Sequence, residues 1–349
     1  MFTDRQALYR DLERERGSKV ITYVTGDRPG METKIHSEVY DFFVNHLDEI
    51  GVTPKISLLL YTKGGETLTA WSLVNLLRQF CDELEVIIPS KCLSAGTIMA
   101  LGANRIVMTK QATLGPIDPS LTSPLNPVVT INGQTNISPV SVEDIKAYLS
   151  LAKDELGIQK PEDAINILLK LSEKVHPLVL GSVYRAQTQI QMLARRLLTH
   201  QVSEQDKIER IVSFLCTDSG SHDYTISRRE ATNDLGLTIE KPSETLYGLI
   251  NSIYVDIKSE LELGKPFDVN TTLGSAPQQQ YTAIRALVES TDTCSYQMRT
   301  QGLLQKVQVS PPPMQQFAIN NTVREGANKQ VISSQADSLI KISRIWADL

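Results

Sequence analysis

Three observations predict an α/β fold built around a mainly parallel sheet. Short β-branched segments of strand length alternate with amphipathic helical segments over the first 120 residues. The densest apolar run, residues 56–61, has the length of a strand that is buried on both faces. The 349 residues are 41% apolar and 21% charged, close to the globular average, which excludes a disordered chain. Strands separated by helices predict parallel pairing, with helices covering the faces of the sheet.

The first half of the chain supplies the predicted strands and helices of this sheet. Residues 19–25 (KVITYVT) are rich in β-branched side chains and predict a strand. Residues 33–50 repeat apolar side chains at helical spacing, and Gly51 ends that helix. The same pattern then predicts strands at 55–62, 84–89 and 105–109 and helices at 67–81 and 95–102.

The second half is predicted to be mainly helical, with a C-terminal α+β extension. Residues 120–140 are rich in Pro, Asn, Ser and Thr and predict a loop or short hairpin. Helices follow to about residue 240, including a long one over 177–198. Residues 286–309 predict two strands that meet around 300–303. We therefore divide the chain into a first domain, residues 1–244, and an extension of unknown role, residues 245–349.

Composition excludes several classes of partner. Thirty-five Lys and Arg against forty Asp and Glu give a net charge of −5, so nucleic acid is not expected as a ligand. No phosphate-binding GxxxxGK[ST] loop occurs, and we expect neither a cofactor nor a metal. The charged N-terminus and the lack of an apolar run of about 18 residues predict a cytoplasmic protein without a membrane span. The four cysteines form no CxxC pair, which predicts free thiols.

Three short segments that each follow a predicted strand carry the candidate chemistry. Gly64 and Gly65 end a buried strand, where parallel sheets place ligands, although a tight turn would explain the pair equally well. Ser94 in SKCLSAGT opens a helix, so its hydroxyl is either an N-cap or a nucleophile beside free N–H groups. Asp118 in LGPIDP either orients a base or caps its turn.

These segments, taken in order, resemble the Clp-protease/crotonase superfamily. The matching segments are strand–KGGET–helix, strand–SKCLSAGTIMALGANRIVM, and TLGPIDPS. Within the superfamily the chain is most similar to the serine dehydrogenase proteinases, distant relatives of the Clp proteolytic subunit and the signal peptide peptidases. The resemblance extends over about residues 19–240, through SHDYTIS and REATNDLGL. It implies a Clp/crotonase-like spiral β–α core and a serine peptidase with the triad order Ser, Asp, His.

The resemblance also implies a role for each matching residue. Ser94 would be the nucleophile, Asp118 the acid of the triad and His222 the base that removes the serine proton. The oxyanion hole would consist of the backbone amides of Gly64, Gly65 and Ala95.

The choice of base stays open among a few residues. Clp subunits carry the histidine shortly after the nucleophile, but this chain has none between His46 and His176. We favour His222 because Asp223 and a capped helix follow it. His176, at a helix start, is the competing histidine. A lysine base as in signal peptide peptidases is a further alternative, and Lys146 falls in the right span, within a helix whose charge pattern predicts exposure.

Partners and rival functions follow from the same resemblance. A peptide or protein would be the substrate, a homo-oligomer is expected, and the C-terminal extension could bind a separate partner. A crotonase-type acyl-CoA enzyme would use the same fold and paired amides to hold a thioester enolate. A catalytically silent scaffold is the third possibility.

Overall fold

The computed structural model describes residues 2–117, 120–121, 123–131, 134–138, 140–158, 160–218, 221, 223–291, 294–308 and 317–323. The strands in this part of the chain are β1 (Lys19–Thr25), β2 (Thr53–Tyr61), β3 (Cys81–Ile88), β4 (Lys91–Cys92), β5 (Arg105–Met108), β6 (Thr113–Leu114), β7 (Ser120–Leu121), β8 (Val128–Ile131), β9 (Gln134–Ile137), β10 (Val140–Ser141), β11 (Ile226–Ser227), β12 (Ile239–Glu240), β13 (Gln278–Ser290), β14 (Ser295–Gln308) and β15 (Phe317–Val323).

The helices follow the same chain order. They are α1 (Phe2–Arg16), α2 (Tyr40–Ile50), α3 (Thr67–Gln79), α4 (Ala95–Leu101), α5 (Val142–Ser150), α6 (Pro161–Ser172), α7 (Pro177–Leu198), α8 (Gln205–Ser213), α9 (Arg228–Asn233), α10 (Glu244–Glu260) and α11 (Val269–Leu273). A 3₁₀ turn (Ser37–Val39) precedes α2, and π-helical turns extend α5 (Leu151–Glu155) and α8 (Phe214–Asp218). No helix in the described part of the chain is long and apolar enough to cross a bilayer.

A large mixed sheet organises the molecule. Among the described residues its strand order is β12-β5-β3-β2-β1-β13-β14-β15. The strands from β12 to β1 pair in parallel, whereas β13, β14 and β15 continue the sheet with antiparallel pairing. The fold class predicted from the sequence, an α/β protein with a mainly parallel sheet at its centre, is therefore confirmed.

Helices cover both faces of the sheet because the parallel strands are apolar on both sides. One core lies between the sheet and a group formed by α2, α3, α4, α7 and α8. The second core lies between the opposite face and the pair α1 and α10. Strand β2 contributes to both cores, since residues 56–61 are buried without interruption.

Several predicted element bounds and one predicted capping box are confirmed. Strand β1 and helix α7 have the predicted bounds. The short helix α9 begins with the predicted capping box, in which the Ser227 hydroxyl accepts from the Glu230 N–H and the Glu230 carboxylate accepts from the Ser227 N–H. The cysteines of the described residues form no disulfide, and Cys81, Cys92 and Cys216 are buried.

Some predicted boundaries are wrong, and one segment has an unexpected partner. The helix predicted over 33–50 begins at Tyr40, and Cys81, predicted as the end of a helix, begins β3. The hairpin of the last hundred residues turns after Ser290, not around residues 300–303, because β13 and β14 pair over almost their whole lengths. Strand β13 also pairs with β1, with Ile21 opposite Ser290 and Thr25 opposite Ala286. Part of the predicted extension therefore adds strands to the sheet of the first domain, while the division at residues 244 and 245 stays a prediction.

Candidate active site

A small three-stranded sheet brings the candidate segments to one edge. Strands β4 and β6 are parallel, with Cys92 beside Leu114, and β11 pairs antiparallel with β6, with Ile226 beside Leu114. Because β11 runs the opposite way, the residues before Ile226 leave the sheet on the same side as the residues after Cys92 and Leu114. Two strand spacings of about 4.8 Å place the outer strands, β4 and β11, about 10 Å apart.

The loop segments beyond that edge meet at one turn. The Ile117 N–H donates to the Leu215 carbonyl at 2.9 Å, and both residues are buried. The Tyr224 ring lies edge-on to Phe214, with 5.9 Å between ring centroids. Leu215 and Phe214 belong to the π-helical turn after α8. Ile117 and Tyr224 therefore contact the same turn. They lie next to the predicted acid, Asp118, and two residues after the predicted base, His222, respectively.

The predicted triad is only partly within the described residues. Asp118 and His222 lie outside them, and their roles stay predictions. The competing histidine, His176, is exposed, and its Nδ1 accepts a hydrogen bond from the Leu178 N–H at 3.2 Å. That contact caps α7, which gives His176 a structural role where it stands.

Ser94 occupies the N-cap position of α4 with an unusual backbone. Its φ of 51° and ψ of −115° lie outside the ordinary helical and extended regions. Although the Ser94 carbonyl accepts from the Ile98 N–H at 3.2 Å, its hydroxyl makes no capping hydrogen bond within the described part of the chain. The Ser94 hydroxyl therefore does not act as an N-cap. A half-buried hydroxyl on a strained backbone at a helix start is typical of functional sites.

The glycine pair lies directly against Ser94 and against the chain before α2. A Cβ on Gly64 would stand 2.8 Å from the Ser94 Cβ, and a Cβ on Gly65 would overlap the backbone of Ile35. Both glycines have positive φ, 113° and 153°. Ile35 donates to the Gly64 carbonyl at 2.9 Å and accepts from the Glu66 N–H at 2.9 Å, so the pair is held as a short parallel bridge. Only glycine fits both positions.

The N–H groups of the predicted oxyanion hole differ in availability. The Gly64 N–H donates to the Thr62 Oγ1 at 3.0 Å, and that hydroxyl also accepts from the Thr25 Oγ1 at 2.7 Å. Within the described part of the chain, the N–H groups of Gly65 and Ala95 have no acceptor. These two are therefore the available donors in this geometry, and Thr62 is a residue that the sequence patterns did not single out.

Thr97 connects the start of α4 to the loop before Asp118. Its buried hydroxyl donates to the Gly115 carbonyl at 2.8 Å and accepts from the Gly115 N–H at 3.1 Å. It also lies 3.1 Å from the Cys92 carbonyl. These contacts fix the nucleophile segment and the aspartate segment relative to each other. Sequence inspection missed Thr97 because a threonine inside an apolar helix carries no distinctive pattern.

Cys92 and Lys146 are two further reactive side chains of the candidate segments. Burial raises the pKa of the Cys92 thiol, so this cysteine does not compete as a thiolate nucleophile. Lys146 is half-buried, not exposed as its helix suggested, and its Nζ donates to the Thr217 Oγ1 at 2.9 Å. Thr217 lies in the same π-helical turn that Ile117 contacts. Among the described residues, no cluster of His, Cys, Asp and Glu could hold a metal ion.

Comparison with known proteins gives the class. Residues 1–172 match the family model of the ClpP-like SDH-type serine proteinases, which confirms the predicted resemblance. The family is one of serine proteinases, and the match includes the KGGET, LSAGT and LGPIDP segments but ends before His176 and His222.

Individual relatives are more distant. The chain is 29% identical over 244 residues to the uncharacterized protein MJ0137 of Methanocaldococcus jannaschii, covering 68% of this chain and 73% of that protein. Among solved structures, it resembles a mutant of the 1510-N membrane-bound stomatin-specific protease at 16% identity and a TM-score of 0.37, covering 65% and 83% of the two chains. It resembles ClpP1 from Listeria monocytogenes at 14% identity and a TM-score of 0.34, covering 68% and 99%.

Proposed function

We propose that this protein is a serine peptidase that cleaves peptide bonds through an acyl-enzyme on Ser94. The observation that carries the proposal is the three-stranded sheet β11-β6-β4, because it directs the segments of Ser94, Ile117 and Tyr224 to one edge. The serine proteinase family of residues 1–172 supports the same reaction class. Peptides or proteins are the proposed substrates.

The proposed mechanism is acyl transfer with a Ser-Asp-His triad. The base removes the proton from the Ser94 hydroxyl as its oxygen attacks the substrate carbonyl, and the same base then protonates the leaving amine. A water molecule attacks the acyl-enzyme in the second half of the reaction. We assign His222 as the base and Asp118 as the group that orients its imidazole. The N–H groups of Gly65 and Ala95 would stabilise the oxyanion.

Lys146 is the alternative base in this proposal. Its contact with Thr217 supports a position near the Ile117 segment, because both residues bond to the same π-helical turn. A lysine base would need a lowered ammonium pKa to act at neutral pH. The two candidate bases, His222 and Lys146, can be distinguished by which variant loses activity. They also predict different pH profiles of kcat/KM.

Kinetics of single variants on a fluorogenic peptide substrate test this assignment. We expect Ser94→Ala to lose activity by about 10⁴-fold or more and Asp118→Asn to lose it by about 10²–10⁴-fold. His222→Ala should match Ser94→Ala, while Lys146→Met keeps most of the activity. The reverse ranking of the last two variants would transfer the base to Lys146. Unchanged turnover in Ser94→Ala would remove the nucleophile assignment altogether.

The same proposal includes the assembly and location expected from the family resemblance. We propose a homo-oligomer in the cytoplasm, in which the extension, residues 245–349, binds a separate partner. Light scattering of the purified chain measures the first of these properties directly.

A further inference from the structure

Arg285 is a buried arginine on β13, near the end of the large sheet where the glycine pair lies. The residue is 2% exposed, and its Nε and Nη1 have no acceptor among the described residues. Burial lowers the pKa of the Arg285 guanidinium, although an arginine stays charged at neutral pH. A buried guanidinium with unused donors is costly, and an anion bound beside it would offset that cost.

Two hydroxyls with unused hydrogen-bonding capacity belong to residues whose backbone lies near that of Arg285. Gly26 donates to the Arg285 carbonyl at 2.7 Å and accepts from the Thr33 N–H at 2.8 Å, which places Thr33 next to this strand. Thr300 stands opposite Ala283, two residues from Arg285. The Oγ1 atoms of Thr33 and Thr300 are buried and have no partner among the described residues. The guanidinium and the two hydroxyls are thus unused donors on neighbouring stretches of backbone.

The strand is irregular at this position. The pairing of β13 with β14 shifts register between Ile284 and Ala286, so Arg285 is the extra residue of a β-bulge. Bulges redirect a side chain that a regular strand would point elsewhere, and they are frequent beside active sites.

These donors lie at the same edge of the sheet as the glycine pair. Arg285 is opposite Gly26, directly after β1, and Gly64 follows β2, the neighbour of β1. Two strand spacings of about 4.8 Å put β13 about 10 Å from β2. The chain also joins the two places, because Thr33 bonds to Gly26 and Ile35 bonds to Gly64. An extended peptide covers that distance in about three residues.

We propose that Arg285, with Thr33 and Thr300, binds a carboxylate of the peptide substrate about three residues from the bond that Ser94 cleaves. This inference rests on the proposed peptidase function and adds a substrate class to it. A carboxylate matches the fork of a guanidinium and accepts further hydrogen bonds from hydroxyls. The Glu38 carboxylate opposes the effect of burial by raising the pKa of the Arg285 guanidinium, and this nearby negative charge favours a singly charged ligand over a doubly charged phosphate.

Peptide binding to the Ser94→Ala protein tests the inference without requiring catalysis. The probes are fluorescein-labelled neutral octapeptides with an amidated C-terminus, in which one Glu replaces one Gln at each position in turn. We expect one position at which Glu binds at least tenfold more tightly than Gln. Ser94→Ala/Arg285→Met should abolish that preference.

A second arm distinguishes the source of the carboxylate. An all-neutral octapeptide with a free C-terminus is compared with its amide. A preference for the free acid that depends on Arg285 assigns the site to a peptide terminus, whereas a preference confined to internal Glu assigns it to an acidic side chain. No preference in either arm, or a preference that persists in the Arg285→Met background, overturns the inference.

Stability of the same variant separates binding from a structural role. Because the guanidinium Nε and Nη1 have no acceptor among the described residues, Arg285→Met should unfold at the same temperature as the parent protein or higher. A clear drop in Tm would mean that Arg285 holds the fold together and would contradict the inference. Fluorophosphonate labelling of wild type reports separately on the nucleophile, so failure of the peptidase proposal and failure of the carboxylate site give different results.

Discussion

The contact between Gly64 and Ser94 sets the geometry of the candidate nucleophile. Gly64 has φ of 113°, and its Cα faces the Ser94 side chain so closely that a methyl group would meet the Ser94 Cβ at 2.8 Å. Ser94 itself holds a φ of 51°. Neither residue can relax without moving the other, so the hydroxyl is confined by packing.

Gly64→Ala tests this confinement at the scale of one residue. We expect activity to fall by about 10²-fold or more because the new methyl group displaces Ser94 from its reactive position. Gly51→Ala is the matched control, since Gly51 also has positive φ, 69°, but a Cβ there meets no atom within 4 Å among the described residues. The control should lose stability and keep kcat. Equal kcat for Gly64→Ala and wild type would contradict the proposed contact.

His46 gives a second residue-scale prediction, on pH. Its Nε2 donates to the Val288 carbonyl at 3.1 Å, which leaves Nδ1 to accept from the Ser290 hydroxyl at 2.8 Å. Burial lowers the pKa of His46 below its ordinary value of 6.5. The unfolded chain therefore binds a proton more readily, and stability is lost as pH falls below about 6.5, by at most about 1.4 kcal/mol per pH unit, until it reaches the lowered pKa.

Chemical denaturation at pH 7.5 and 5.5 measures that effect. His46→Gln keeps an N–H donor for Val288 and has no titrating group. We therefore expect the variant to lose less stability than wild type between the two pH values. A larger or equal loss in the variant would assign the pH dependence to other groups.

Sequence patterns identified Ser94, Gly64 and Gly65 because a glycine pair and a small-residue helix start are local signals after strands. They did not identify Thr62 or Thr97. The Thr97 hydroxyl donates to Gly115, which is distant in the sequence. The Thr62 hydroxyl accepts from the Gly64 N–H, and this hydrogen bond depends on a side-chain position that the sequence does not reveal. The partial predictability of the site reflects this difference between local pattern and tertiary contact.

Helix α1 is held against the sheet by a buried ion network. Arg5 is fully buried, and its Nε and Nη2 donate to the two carboxylate oxygens of Glu289 at 3.0 and 2.6 Å. Its Nη1 donates to Glu260 at 2.5 Å, and the Tyr9 hydroxyl donates to Glu289 at 2.6 Å. The network therefore joins α1, α10 and β13, elements that lie far apart in the sequence.

Arg5→Met tests the network at the scale of an element. Removing the guanidinium leaves the buried Glu289 carboxylate without its cationic partner, and we expect the free energy of unfolding to fall by about 3–5 kcal/mol. Arg14→Met is the matched control on the same helix, because Arg14 and its partner Asp11 are exposed, and it should cost less than about 0.5 kcal/mol. Similar losses in both variants, measured by denaturant titration, would contradict this account of α1.

Long elements were predictable and short ones were not. Strand β1 and helix α7 carry many residues of one periodicity, so their bounds follow from the sequence. Strands β4, β6 and β11 are two residues long, too short for any period, yet they direct the candidate segments to one edge. The turn between β13 and β14 was predicted in the wrong place. Thr300 and its neighbours belong to the middle of β14, which is paired with β13 there.

At the scale of the whole molecule, the C-terminal strands continue the sheet of the N-terminal half. Strand β13 pairs with β1, and α10 packs with α1 over the second core. A chain that ends at residue 244 lacks both, and it would expose one face and one edge of the large sheet. We expect it to unfold without a cooperative transition. A chain that ends at residue 323 keeps β13, β14 and β15 and should unfold cooperatively; a folded 1–244 fragment would instead support an independent first domain.

Fluorophosphonate labelling followed by mass spectrometry of the labelled peptide is the most direct measurement of the proposed reaction. We predict one modified residue, Ser94, in wild type and no modification in Ser94→Ala. Weaker labelling is expected when the base is removed, because an unactivated hydroxyl reacts slowly. Modification at another residue, or a wild-type protein that never reacts while its fold is intact, would contradict the assignment of Ser94 as the nucleophile.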